Sequence, residues 1–265
     1  MARIKPISHE EELSLVEHLD ELRTRLIVVG SVFVIVTALC FWRNHDILKF
    51  INDPLPAGKV PATFGVSEAF MSTLTVTMYA ALIITMPLIV YNLYAFVIPA
   101  FSDEERGIAK PLLLMAPALF LAGTVFGYYL VLPAAVHFLL NFNDDQFNVL
   151  VRARDYYSFF GLTVLSMGVL FELPLAILIA SRVGLVTPKQ LRENRRYALV
   201  AIAVVAMLLP GTDPISMIIE MVPLVILYEL SIWLAVWFGD PAKSRDNTTT
   251  TSKTPAEPDA GPAMR

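Results

Sequence analysis

Six runs of apolar residues alternate with short polar stretches along the chain. They cover residues 26–42, 70–98, 112–132, 159–180, 197–209 and 215–238. A straight helix needs about 20 apolar residues to cross a bilayer, within a range of about 17–25. The first, third and fourth runs fit that length. The second is longer and contains Pro87, which predicts a kink or a tilt. The fifth is closed by Pro210 and Gly211. At about 1.5 Å per residue it reaches only ~20 Å, against a hydrocarbon core of ~30 Å. The sixth begins after Pro214 and carries Glu220, Pro223 and Glu229. Two arrangements are open for this last hairpin. It stops partway through the membrane, shielded by other helices, or it spans and thins the bilayer locally. The pattern predicts an all-α membrane protein of six transmembrane helices, the fifth and sixth short.

The polar stretches organise the rest. Ser8 and Glu11 have capping-box spacing. Leu13, Val16, Leu19, Leu22 and Leu26 follow at steps of three or four, which predicts a cytoplasmic amphipathic helix over 8–25. Glu21 and Arg25 are four apart and suited to pairing. This segment reads either as an interfacial helix with a solvated face or as a docking surface at the membrane boundary. Charged and acidic residues fill the first two dozen positions, so no cleavable signal is apparent. The loops at 44–69 and 141–158 are expected on the outer side. Pro54, Pro56 and Pro61 stiffen the first and oppose a long helix there. Residues 239–265, rich in Thr, Pro, Ala and charge, read as a disordered cytoplasmic tail following the membrane domain of 1–238. With the N-terminus inside, fifteen Lys and Arg fall on the inner side and five on the outer. That bias places both termini in the cytoplasm.

Composition agrees with a membrane protein. The chain is 56% hydrophobic with mean hydropathy +0.62, whereas soluble domains are about 45–50% apolar. The net charge of −4 is too small to indicate a partner. Cys40 is the single cysteine, so no internal disulfide forms. Gly58-Lys59 lacks the upstream glycine of a phosphate-binding loop and is followed by Val60. No His-Glu-x-x-His and no cysteine pair is present. The expectation is a protein that is not an enzyme, with no cofactor and no metal, whose energy comes from an ion gradient or a partner.

Glu172 stands out among the candidate residues. It lies inside the fourth apolar run, between Phe171 and Leu173. A carboxylate there costs roughly 2.5–3.5 kcal/mol on insertion scales and marks a polar task inside the membrane. Asp103, Glu104 and Glu105 form an acidic group in a cytoplasmic turn after Pro99. With Glu21 they suit a cationic ligand, arginine above all. Helix capping accounts for Glu104 and Glu105 as well, since Ser102 and Glu105 repeat Ser-x-x-Glu. Gly123-xxx-Gly127 permits close helix packing. Tyr91, Tyr94 and Phe96 read as an interfacial aromatic belt, and Asp213 as a cap for the sixth helix. On these residues alone a docking receptor and a proton-coupled secondary transporter or channel, with Glu172 as proton carrier, both stand.

The segment from His18 to Arg25, His-Leu-Asp-Glu-Leu-Arg-Thr-Arg, closely resembles the N-terminal signature of the TatC family, the large polytopic subunit of the twin-arginine (Sec-independent) protein translocase. Further matches run in order: Asp53-Pro54-Leu55, Glu68-Ala69-Phe70, Tyr91 to Phe96 with Pro99 and Glu105-Arg106, Gly127-Tyr128, Phe171 to Pro174, Arg195-Arg196-Tyr197, Asp213 with Ser216, and Leu227-Tyr228-Glu229. The resemblance implies a cupped six-helix bundle in a bacterial or archaeal cytoplasmic membrane. It implies that Glu21 and Glu105, with Arg23 and Phe96 nearby, contact the twin-arginine motif of signal peptides on folded cargo. It implies that Glu172 lies in a concave membrane face where TatA- and TatB-type single-helix subunits dock. Homo-oligomers and export driven by the proton-motive force are expected with it. Pro54, Phe70, Pro99, Asp213 and Glu229 carry over as motif positions. Glu220 is an added acid with no role that the resemblance assigns.

Overall fold

Among the described residues the regular elements are helices, and prolines fall both inside them (Pro87, Pro111, Pro117 and Pro223) and at their breaks. The structure, a computed structural model, describes residues 9–56, 59–97, 106–143, 145–146, 149–182, 185–209 and 214–238. The helices are α1 (His9–Trp42), α2 (Asn44–Asn52), α3 (Glu68–Val97), α4 (Arg106–Phe126), α5 (Leu132–Asn141), α6 (Ala153–Leu170), α7 (Leu173–Arg182), α8 (Pro188–Glu193), α9 (Arg195–Leu208) and α10 (Pro214–Phe238). A π-helical turn, Gly127–Val131, joins α4 to α5. Among the described residues, five helical stretches are long and apolar enough to cross a membrane, in α1, α3, α4–α5, α6–α7 and α10. The fold is an all-α multi-pass membrane bundle. Pro99, Glu105 and Asp213, the acidic group at 103–105, Ser8 and the tail at 239–265 lie outside the described residues.

The amphipathic segment and the first apolar run form one continuous helix, α1. No proline or glycine pair separates them, so the backbone ladder runs on. α1 packs chiefly against α3 and buries little of its own surface. The third apolar run extends past 132 to Asn141. Pro133 has no N–H to donate to the preceding turn, and the helix rewinds to a π turn just before it rather than ending. α6 begins at Ala153, six residues before the apolar run at 159. Its first turns hold Tyr156 and Tyr157, which a hydropathy pattern passes over but which are buried in the core. In the loop at 44–69, α2 forms before Pro54 and lies over the bundle. Tyr128 and Tyr156 donate to the carbonyls of Phe50 and Ile51 at its C-terminus, at 3.0 and 2.7 Å. These hydroxyls satisfy acceptors that a helix end leaves open.

Glycines let helices pack closely. A Cβ on Gly123 would meet the Met167 carbonyl at 2.5 Å and the Phe171 side chain at 2.8 Å. One on Gly127 would meet Met167, and one on Gly168 would meet Phe120 and Thr124, all at 2.6–2.9 Å. The Gly-xxx-Gly pair therefore seats α4 against α6 within the chain. The α9–α10 hairpin docks on this seam from the side. Leu209, at its tip, packs with Val131 and Met167. Met167 is roughly 21 Å along α6 from Ala153, at 1.5 Å per residue. Leu209 thus lies well short of the end of the bundle that carries α2 and the loops at 43–67 and 142–152, the loop face. α9, with 14 residues, is shorter than the other apolar helices, whereas α10 is long and apolar enough to cross a membrane.

Gly123→Val is expected to destabilise the bundle by about 1–3 kcal/mol through overpacking. Gly30→Ala, which has nothing within 4 Å of the added carbon, leaves stability unchanged. Thermal or detergent denaturation of both variants checks this.

Candidate functional site

Three polar constellations stand out, one at each end of the bundle and one inside it. The end opposite the loop face carries the first. The i,i+4 spacing on α1 brings Arg25 onto Glu21: Nε and Nη2 donate to Glu21 Oε1 at 3.0 and 2.5 Å. Arg25 Nη1 also reaches Asn92 Oδ1 on α3 at 3.3 Å, and Asn92 Nδ2 donates to the Leu88 carbonyl at 2.8 Å. One guanidinium therefore ties α1 to α3 through the carboxylate and the amide. Glu21 keeps 41% of its side chain exposed. Arg23, on the same helix, is exposed, and Phe96, near the end of α3, is half-buried. The pairing of Glu21 with Arg25 was legible from spacing; the role of Asn92 was not.

The second constellation centres on Glu172. Pro174 cannot donate to the Leu170 carbonyl, and its ring crowds that turn. The helix accordingly breaks at Phe171 and Glu172 and resumes as α7, with Ala176 N donating to the Glu172 carbonyl at 2.9 Å. The break directs the Glu172 side chain into the protein, where it is 9% exposed. The Tyr94 hydroxyl and the Phe120 backbone face its carboxyl. Neither meets hydrogen-bond geometry, so both carboxyl oxygens are buried without a well-formed bond. Tyr94 was expected in an interfacial belt; instead it packs with Val90, Phe120 and Leu175 on the core side, while Tyr91 is exposed. Close by, Arg195 Nη2 donates to Glu229 Oε2 at 2.7 Å, and the Tyr228 hydroxyl donates to the Leu191 carbonyl at 2.9 Å. Glu229 thereby fastens the start of α9 to α10. Glu220 is fully buried on the inward stripe of α10, with Ser216 and Leu224.

The third lies on the loop face. Glu68 Oε1 accepts from Arg152 Nε at 2.7 Å, and Oε2 accepts from the N–H groups of Phe64 and Gly65 at 2.9 and 3.1 Å. The carboxylate holds the Arg152 guanidinium above its ordinary pKa, first by the hydrogen bond and then by charge. Ala62 N donates to the Val151 carbonyl and Ala153 N to the Ala62 carbonyl, at 2.8 and 2.9 Å. One carboxylate thus clamps both loops. The sequence marked Glu68 only as part of a motif, because its partner is 84 positions away. Pro54 follows α2 and leads Leu55 into the core. Phe70 is exposed and meets Phe41 of α1 edge-on, ring centres 6.4 Å apart. Among the described residues, no group of His, Cys, Asp and Glu is arranged to hold a metal ion.

Comparison with known proteins gives a consistent result. The family profile described as Sec-independent protein translocase protein (TatC) matches residues 17–223. The Sec-independent protein translocase protein TatC of Escherichia coli O6:H1 (strain CFT073) is 33% identical over 245 residues, covering 91% of this chain and 95% of that one. The protein of the same name from Desulforapulum autotrophicum is 35% identical over 242 residues, covering 88% of each. A crystal structure of the twin-arginine translocase receptor TatC superposes with a TM-score of 0.72 at 29% identity, covering 84% of this chain and 100% of that one.

Arg152→Ala leaves the buried Glu68 carboxylate with only backbone donors and releases the second loop from the first. Trypsin cleavage after Lys59 is expected to accelerate several-fold, and less so in Arg152→Lys, as followed by mass spectrometry of the time course.

Proposed function

The chain belongs to the TatC family, and on that footing we propose that it is the membrane receptor that binds twin-arginine signal peptides and gathers the partner subunits of export. As a TatC protein it is a core subunit of the twin-arginine translocation system, a transport protein and not an enzyme. Its bundle has six transmembrane helices in a cupped arrangement, counting the short α9, with both termini in the cytoplasm. The fifteen-to-five distribution of basic residues supports that orientation. The loop face is then outside, and Glu21 lies at the cytoplasmic rim.

The observation that carries the reading is the exposed Glu21 carboxylate already holding a guanidinium, that of Arg25. A signal-peptide arginine is the same chemical group. Exchange at Glu21 costs little, because a half-exposed ion pair is weak. Glu105, Arg23, Phe96 and Pro99 complete the cytoplasmic site in this proposal: Glu105 pairs with the second arginine, Phe96 and Pro99 border it, and Arg23 repels misplaced cations. The peptide's apolar stretch then enters the bundle. Glu172 serves as the intramembrane docking group for TatA- or TatB-type helices, since its oxygens lack good partners within the chain. Asp213 and Glu229 hold the short hairpin in place. Further copies of this chain assemble in the membrane complex, and the proton-motive force drives export of folded cargo.

Orientation is checked with single cysteines at Ser67 and Gln190 in a Cys40→Ala background. An impermeant thiol reagent applied to sealed cells labels position 67 and not 190.

Glu21→Lys or Glu105→Lys abolishes binding of a twin-arginine peptide, through loss of a charge-assisted pair and repulsion of like charge. Binding to the unaltered protein weakens with salt. Crosslinking of a twin-arginine peptide against its twin-lysine version tests the site; equal yields would leave these acids as helix caps.

Glu172→Gln keeps most export activity, because the amide retains hydrogen bonding at nearly the same size. Glu172→Leu and Glu172→Ala weaken partner docking by about 0.6–2 kcal/mol and leave peptide binding intact. A Gln variant that is inactive yet crosslinks normally to partner helices would point to proton transfer instead.

A further inference from the structure

An open groove in the bundle is lined by none of the residues assigned above to peptide binding or partner docking. It lies toward the loop face, with a volume of about 490 Å³, walled by α3 (Ala80, Ile83, Ile84), the α4–π segment (Thr124, Val125, Tyr128, Tyr129) and α6, and roofed by α2. Ile84, Val125 and Tyr129 are exposed at its mouth. The wall offers little to a polar guest. The Thr124 hydroxyl donates to the Leu121 carbonyl at 2.8 Å, and the Tyr128 hydroxyl to the Phe50 carbonyl at 3.0 Å. An irregular peptide would bring in backbone groups with nothing to pair with, at a prohibitive cost inside a membrane. A single fatty acyl chain needs no hydrogen bond and is of the right size.

The rim identifies the headgroup. Asp46 lines the groove, and Arg43 pairs with it at 3.3 Å, both side chains about 70% exposed. Such a pair exchanges readily with other ions. A cation and an anion side by side match the phosphate and ammonium of a zwitterionic amine phospholipid. The hydroxyl-bearing ring of Tyr129 stands at the same mouth.

We propose that this groove is a phospholipid site that holds one acyl chain of phosphatidylethanolamine between α2, α3, α4 and α6, with Asp46 on its ammonium and Arg43 on its phosphate. The lipid fills a gap that the helices leave beneath α2 and ties that helix to the leaflet on the loop face.

The test uses the full chain in nanodiscs made from equal parts phosphatidylethanolamine, phosphatidylglycerol and phosphatidylcholine. The protein is transferred to mild detergent and its retained lipid is counted by native mass spectrometry. The unaltered chain is expected to keep one phosphatidylethanolamine. Val125→Trp, which fills the groove, loses it. Asp46→Asn and Arg43→Gln keep a lipid but lose the preference for the ethanolamine headgroup. A second measurement does not depend on any variant folding. Phosphatidylethanolamine with a photoreactive acyl chain labels peptides containing Ile83, Val125 and Val164 well above the lipid-exposed face of α1. Even labelling across the bundle, or unchanged retention in Val125→Trp, overturns the site. Unchanged preference in both rim variants overturns the headgroup assignment. A protein segment crosslinked in the groove in place of lipid overturns the occupant.

Discussion

Gly123, Gly127 and Gly168 let α4 and α6 approach almost backbone to backbone, and much of the bundle takes its position from that seam. In a bilayer no hydrophobic effect drives helices together, so close van der Waals packing carries the association. Met167 sits at the centre of the seam and is fully buried. The tip of the α9–α10 hairpin lands on it through Leu209. Phe120, held against Gly168, also presents its backbone to the Glu172 carboxyl. A side chain at any of these glycines would move the hairpin and the intramembrane acid together.

Proline works with this seam. Each intramembrane proline removes a donor, and the lost bond must be absorbed within the protein. At Pro133 the absorption is a π turn that keeps the helix continuous. At Pro174 it is a break, and the break turns Glu172 inward toward Tyr94. The same residue chemistry thus extends one span and interrupts another. The difference lies in the neighbours: Gly127 permits local rewinding where Pro133 demands it, while Phe171 before Pro174 packs against Phe126 with ring centres 5.5 Å apart.

The two ends of the bundle divide their tasks. One end holds an ion pair on the surface, Glu21 with Arg25, open enough for exchange. The other buries a carboxylate, Glu68, that accepts from Arg152 and from the N–H groups of Phe64 and Gly65. A half-exposed ion pair is weak, whereas a buried carboxylate with three donors holds its neighbours in place.

Residues close in sequence told most of the story before any coordinates. Apolar run lengths anticipated a multi-pass bundle, because hydrocarbon thickness sets how many residues are needed; five of the six runs lie in helices long and apolar enough to cross a membrane. The i,i+4 spacing gave the Glu21–Arg25 pair, because a helix places those positions on one face. The ordered motifs pointed to the TatC family, and Glu172 was visible as a carboxylate among apolar residues. Contacts between distant residues were hidden. Arg152 on Glu68, Asn92 on Arg25, Tyr94 facing Glu172, and the tyrosine hydroxyls over the end of α2 join residues from separate helices. Whether the last hairpin spans was also left open, since length alone allows a short helix to thin the bilayer or to shelter in the bundle. The structure adds that Leu209 packs against Val131 and Met167 inside the bundle. Local periodicity reports which face of a helix is apolar; only the assembled bundle brings a particular partner to a particular side chain.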